Sequence, residues 1–184
     1  AAYKKALELD PAEFDIRDSA ARLRELFAEV ASEIDNGSSA VLSLRSGTDV
    51  DASGQQEDLV EPIIARGAAR GFGVILSPPL GSGGRLDEGG AKFTQGLDNT
   101  SVPDSLQAHF ESIAPTAWTY TTIRTTRPTA GLVEGPGIVV GSQVTLPADG
   151  RTYTIYYLYS LSEERETLAL VSRAMLTAGV LLLL

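Results

Sequence analysis

The chain contains no cysteine. Disulfides, thiolate metal sites and a cysteine nucleophile are therefore excluded. The compartment is not fixed by this, because an extracytoplasmic protein can manage without disulfides. There is a single histidine, His109, and a single tryptophan, Trp118. A Ser-His-Asp triad would have to use that one imidazole as its base, and no G-x-S-x-G elbow accompanies it. Basic residues are outnumbered: 15 Lys and Arg stand against 24 Asp and Glu, for a formal net charge of −9. Nucleic-acid binding needs clustered Lys and Arg, so this balance disfavours it. A long charge-free apolar run is missing until residues 174–184. No signal peptide is expected at the start, since no apolar core follows Lys4 and Lys5.

What is present suffices for a core. The 184 residues are 43% hydrophobic and 21% charged, an ordinary globular composition that suggests one domain with or without attached helices. Residues 1–14 read equally as an engineered or vector-derived helix and as a short native one, with Asp10 as cap and Pro11 at the first helical position. Leu23, Leu26, Phe27, Val30 and Ile34 then follow helical spacing, which predicts a long amphipathic helix ended by Asp35, Asn36 and Gly37. AVLSLRS reads as a short strand. A second helix is predicted over 57–70 with Pro62 near its first turn, followed by a buried strand over 71–76. The stretch 80–100 is rich in Gly and Asp and reads as loop. Ser101 opens a helix that stops before Pro115. Strands follow over 118–124, 137–146 and 152–159, the last two forming a hairpin around Pro147, Ala148, Asp149 and Gly150. Ser160-Leu161-Ser162-Glu163 resembles a capping box for a last helix. The order implies an α+β fold: an antiparallel sheet of about four or five strands with helices packed on one face.

The tail decides the functional reading. Residues 174–184 hold no charge and end in Val180 and four leucines. A membrane span needs about 20 apolar residues. The apolar side chains surround the helix axis, so Ala174, Met175, Leu176, Val180, Leu181 and Leu184 are read as the start of a truncated transmembrane helix. A buried C-terminal core helix is the alternative. In the transmembrane reading, 15–173 is an extracytoplasmic domain, with its long first helix and the helix before Arg173 as paired stalks.

The stretch AWTYTTIRT, then GIVVGSQVTLPADGRTYTIYYLYSLSEERETLALVSRAMLTAGVLLLL, resembles the extracytoplasmic part of MtrB-type actinobacterial sensor histidine kinases. The similarity is best over 117–184, weaker back to Asp15, and fails over 1–14. It implies a PAS-like (PDC or Cache-type) antiparallel sheet with a long N-terminal helix and a C-terminal stalk leading into the membrane. It also implies a cell-membrane protein in a two-component system responding to osmotic or envelope stress, homodimeric at full length. The cytoplasmic kinase, which lies outside this sequence, would use ATP and magnesium and phosphorylate an MtrA-type response regulator. An LpqB-type lipoprotein is the implied extracytoplasmic partner. A membrane-anchored solute-binding or adaptor protein without a kinase is the alternative.

No catalytic or cofactor-binding residue is expected within these residues. A phosphoacceptor would read His-Glu-x-x-x-Pro, whereas after His109 the acid and the proline each fall one place late, so His109 is read as a helix-surface residue. The glycines over 135–141 and 81–84 have neither dinucleotide nor P-loop spacing and read as loop glycines. Asp49, Asp51, Asp87, Glu88 and Asp98 offer oxygen ligands but match no calcium loop, so solvated acids are expected and no metal. Trp118, Tyr120, Tyr153 and Tyr157 put aromatic weight on the sheet. One face must be core, and these four are the candidates to line a small ligand pocket on the other.

Overall fold

The computed structural model describes residues 11–44, 51–82, 86, 90–112, 115–129 and 131–161. The chain divides into two compact units, Glu33–Ser162 and a second made of Ala1–Ser32 with Glu163–Leu184. Helix α1 (Pro11–Ser43) contributes to both. Within the second unit its described side chains are amphipathic: Val30 is buried, Leu23, Leu26 and Phe27 are half-buried, and Arg24 and Glu25 are exposed. Ala174, Met175, Leu176, Val180, Leu181 and Leu184, read from the sequence as the start of a transmembrane helix, and the expected stalk before them lie outside the described residues. Among the described residues no helix is long and apolar enough to cross a membrane.

The Glu33–Ser162 unit is α+β. After α1 come α2 (Ala52–Arg70), β1 (Phe72–Leu76), β2 (Lys92–Phe93), a 3-10 turn (Asn99–Ser101), α3 (Asp104–Ser112), β3 (Thr116–Ile123), β4 (Gly135–Thr145) and β5 (Thr152–Ser160). The strands form one antiparallel sheet in the order β2-β1-β5-β4-β3. Short turns make antiparallel neighbours, as between β4 and β5. The first full strand nevertheless pairs with the last, so β5 occupies the middle, between β1 and β4.

Strand register defines the two faces, because alternate side chains point to opposite sides. Val74, Tyr157, Val140 and Trp118 are in register on the first face, with Phe72, Tyr159, Ile138 and Tyr120 beside them. Ile75, Tyr156, Gly141 and Ala117 lie on the second. Helix α2 and the end of α1 cover the first face. Gly67 lets α2 approach the Phe72 ring, where a Cβ would lie 3.2 Å from its carbons. Helix α3 covers the second face, with Phe110 seated over Gly141 and edge-on to Tyr156 at 5.8 Å. Ile75, Leu97, Val102, Leu106, Val139 and Leu158 complete that core. The expectation of helices on one face is thus corrected: every residue of β1 and all but the ends of β5 are buried, which requires a cover on both sides.

Local expectations are corrected for identifiable reasons. Asp35 to Gly37 do not end α1, which runs on to Ser43, so the first four residues of AVLSLRS are helical and not strand. Gly37 serves close packing: a Cβ there would meet the Tyr157 hydroxyl at 2.9 Å. Helix α2 starts before residue 57 because the Asp51 carboxylate accepts from the N–H groups of Ser53 and Gly54, which leaves Pro62 in the helix interior. The stretch 80–100 contains β2, whose residues 92 and 93 pair with β1. Ser101 belongs to the 3-10 turn, capped by Asp98, and α3 begins at Asp104. Gly137 and Gly141 lie in strand β4, as the strand predicted over 137–146 has it and the loop-glycine reading does not, and Gly135 opens that strand.

Candidate functional site

The chain enters and leaves the Glu33–Ser162 unit at one end of its sheet. The Tyr157 hydroxyl donates to the Glu33 carbonyl at 3.4 Å. Gly37, one turn later, faces Tyr157 and Ile155. Progress along α1 therefore runs backwards along β5, and the start of this stretch lies towards Ser160. Helix α2 returns the other way. Its Gln55 accepts from the Ala148 N–H at the β4–β5 turn, and its last turn packs on Phe72, the register partner of Tyr159.

A buried ion cluster marks this end. Glu33 has no exposed side-chain surface, and its two carboxylate oxygens accept separately from Arg66 Nε and Arg70 Nη1, each at 3.0 Å. Arg66 and Arg70 are four residues apart on α2, so both reach the same neighbour. Arg66 is 33% and Arg70 53% exposed, and Arg66 Nη2 is buried without a hydrogen-bond partner. The cluster fixes the rotation and height of α1 against α2. Its signal in the sequence is a carboxylate at i+3 from Val30, on the apolar stripe where a hydrophobic residue belongs. Sequence reasoning passed over it.

The four predicted aromatic residues share the first face but fall into two environments. Tyr157 is 1% exposed beneath α1, and burial raises its phenol well above the ordinary range. Tyr153 is 2% exposed. It donates to Asp149 Oδ2 at 2.6 Å and accepts from Gln56 Nε2 at 3.1 Å, tying the β4–β5 turn to α2. Burial, and then the Asp149 carboxylate, push its pKa up to about 12. Trp118 and Tyr120 lie on strand β3, beyond the helices, and are 47% and 61% exposed with their rings edge-to-face at 5.5 Å. Two of the four are thus buried beneath the helices and two are exposed on the edge strand.

A groove of about 560 Å³ opens instead on the second face, between the residues after β1 and helix α3. Its walls include Pro79, Leu80 and Gln107, and Tyr156 and Thr154 form its floor. Burial pushes the Tyr156 phenol up. Such a volume lies within the range of small-molecule sites.

The remaining candidates have local roles. Asp51 caps α2, and Asp98 caps the 3-10 turn, where the Thr100 N–H and hydroxyl hold its carboxyl below the usual range. Asp49, Asp87 and Glu88 lie outside the described residues, and among the described residues no three metal-ligating side chains cluster. His109 is exposed on α3, edge-on to Phe110. No protein-family model, no curated protein and no solved structure matches the chain.

Proposed function

We propose that this chain is the signal-sensing domain of a membrane sensor histidine kinase, with the finer architecture of a PAS-like sensor. A long helix leading into a central antiparallel sheet is the layout that reading expects. The observation that carries it is the arrival of α1 and the departure of β5 at one end of the Glu33–Ser162 unit. Two connecting helices rooted at one end can both run to one membrane, and residues 174–184 supply the apolar start of the second span. A stimulus that favours one setting of α1 against α2 then changes the relative position of the two helices. In the complete protein the domain lies outside the cell membrane. The kinase beyond it dimerises, uses ATP and magnesium, and phosphorylates an MtrA-type response regulator, with an LpqB-type lipoprotein as extracytoplasmic partner. The domain itself contributes no catalysis.

The test joins residues 15–184 to the cytoplasmic half of a characterised histidine kinase and measures phosphorylation of its regulator in vesicles. Releasing the α1–α2 clamp by Arg66→Met is expected to shift basal phosphorylation at least threefold while the domain stays folded. Equal phosphorylation in the parent and in Arg66→Met, each shown to be folded and inserted, would sink the reading. The adaptor alternative is settled by the gene: a sensor continues into a dimerising helix with a phosphoacceptor histidine, and an adaptor stops soon after the span.

A further inference from the structure

The groove of about 560 Å³ on the second face adjoins a smaller recess of about 260 Å³, and Leu86, Asp104 and Gln107 border both. Two side-chain amides decide what these walls offer. Asn99 Nδ2 donates to the Leu86 carbonyl at 2.8 Å, and Gln107 Nε2 donates to the Val102 carbonyl at 3.1 Å. A backbone carbonyl can only accept, so both amide orientations are fixed and both oxygens are left over as acceptors. Asn99 Oδ1 is buried without a hydrogen-bond partner, which costs free energy until a donor reaches it. The Ser77 hydroxyl is already committed: it donates to the Pro78 carbonyl at 2.8 Å and accepts from the Thr154 N–H at 2.9 Å. The charged residues of the described walls are Asp104 and Glu111, both carboxylates. Among the described residues no cation pairs with Glu111. Glu111 borders the groove near the Tyr156 phenol, whose proton is held first by burial and also by that carboxylate.

We propose that the groove binds a small organic ammonium ion that carries a second hydrogen-bond donor at the other end of a short apolar chain. Glu111 and Gln107 are four residues apart on α3, so one ammonium can reach the carboxylate and the amide oxygen together. The second donor goes to Asn99 Oδ1 in the recess, which Asp104 also borders. Asp104 and Glu111 are seven residues apart on the helix. That is roughly 10 Å at 1.5 Å per residue, which a five-carbon chain with polar ends can bridge. Pro79, Leu80 and the Tyr156 ring supply apolar contact along the way. An anion would meet two carboxylates and no described cation, and a purely apolar ligand would leave Asn99 Oδ1 unpaired. The groove lies away from the Ser160 end, since the Leu80 N–H donates to the Thr152 carbonyl at the start of β5 at 2.8 Å. The site stands on the groove alone and needs neither membrane nor kinase, so its failure would leave the receptor reading as it is.

The test uses the full 184-residue chain and 5-aminopentan-1-ol, whose amine, like that of lysine, is protonated at neutral pH. Titration calorimetry is expected to show saturable one-to-one binding. The diol 1,5-pentanediol lacks the charge and should bind at least tenfold more weakly. Pentylamine lacks the second donor and should bind at least threefold more weakly. Glutarate should not bind. Glu111→Gln preserves the shape of an exposed side chain, so it should leave the melting temperature unchanged and weaken binding of the amino alcohol at least tenfold. Absence of saturable binding by the amino alcohol overturns the proposal. So does binding of glutarate, equal affinity for the amino alcohol and either the diol or pentylamine, or a folded Glu111→Gln chain that binds as the parent does. Should that variant fail to fold, the ranking of the four compounds on the parent chain decides.

Discussion

Glu33 is the side chain on which the two helices of the first face agree. A carboxylate without solvent is costly unless its oxygens are occupied, and here Arg66 and Arg70 occupy one each. The partners are not equivalent, because both guanidinium groups keep partial access to water while the carboxylate has none. Removing the charge from Glu33 leaves two cations that can rehydrate. Removing both cations strands a buried anion. Glu33→Gln is therefore expected to cost about 1–2 kcal/mol and Arg66→Met with Arg70→Met about 3 kcal/mol or more in urea unfolding. The reverse order would mean that the cluster is solvated in solution. Tyr153 gives a pH-dependent counterpart. Its phenol holds its proton in the folded state up to about 12, against 10.0 for the free side chain. Its contribution is thus complete below pH 10 and is lost as pH rises from 10 to 12, where the folded state binds the extra proton. Tyr153→Phe should flatten the fall of stability across that window, read by denaturant unfolding at stepped pH. An unchanged slope would show that the Asp149 contact is not kept in solution.

Elements were legible where one physical signal decided them. The hairpin of β4 and β5, the buried strand β1 and helix α3 each had period or punctuation in the sequence, and each stands within a few residues of its predicted range. What failed were positions where a residue has two uses. Gly37 looked like a left-handed helix terminator and is a packing notch. Gly137 and Gly141 fell inside the predicted strand yet were also read as loop glycines, and they are strand positions crossed by Ile123 and Phe110. Neither partner is near in sequence, so no local pattern could reveal it. The same holds for the candidate site: Trp118, Tyr120, Tyr153 and Tyr157 were readable as one face, but which of them the helices cover depends on α1 running on to Ser43. Gly37 offers a test by sign. Alanine is better than glycine in a helix by about 1 kcal/mol. Its methyl would nevertheless meet Tyr157 Oη at 2.9 Å. Gly37→Ala should therefore destabilise the protein, and the same substitution in a Tyr157→Phe background should stabilise it. A double-mutant cycle in thermal unfolding measures this coupling. Additive effects would mean that α1 does not lie on Tyr157.

At the scale of the molecule, the sheet sets a direction that the proposed function must use. The β4–β5 turn at residues 147–150 and the end of β5 at Ser160 lie at opposite ends of one strand. Nine residues of β5 separate them, roughly 30 Å at 3.3 Å per residue. If both connecting helices run from the Ser160 end to the bilayer, Leu161 lies on the membrane side of the unit and Arg151 on the far side. Single cysteines at these positions, in a chain that otherwise has none, can each carry a fluorophore. With residues 15–184 inserted in vesicles, a lipid-borne quencher is expected to quench the label at Leu161→Cys several-fold more than the label at Arg151→Cys. The buried clamp at Glu33 lies at the near end and the Tyr153 tether at the far one, so strain arriving through α1 meets the ion cluster before the rest of the unit. Equal quenching at both sites would place the unit flat on the lipid. The two helices would then not run as parallel rods from one end, and the mechanical route to a kinase would be lost.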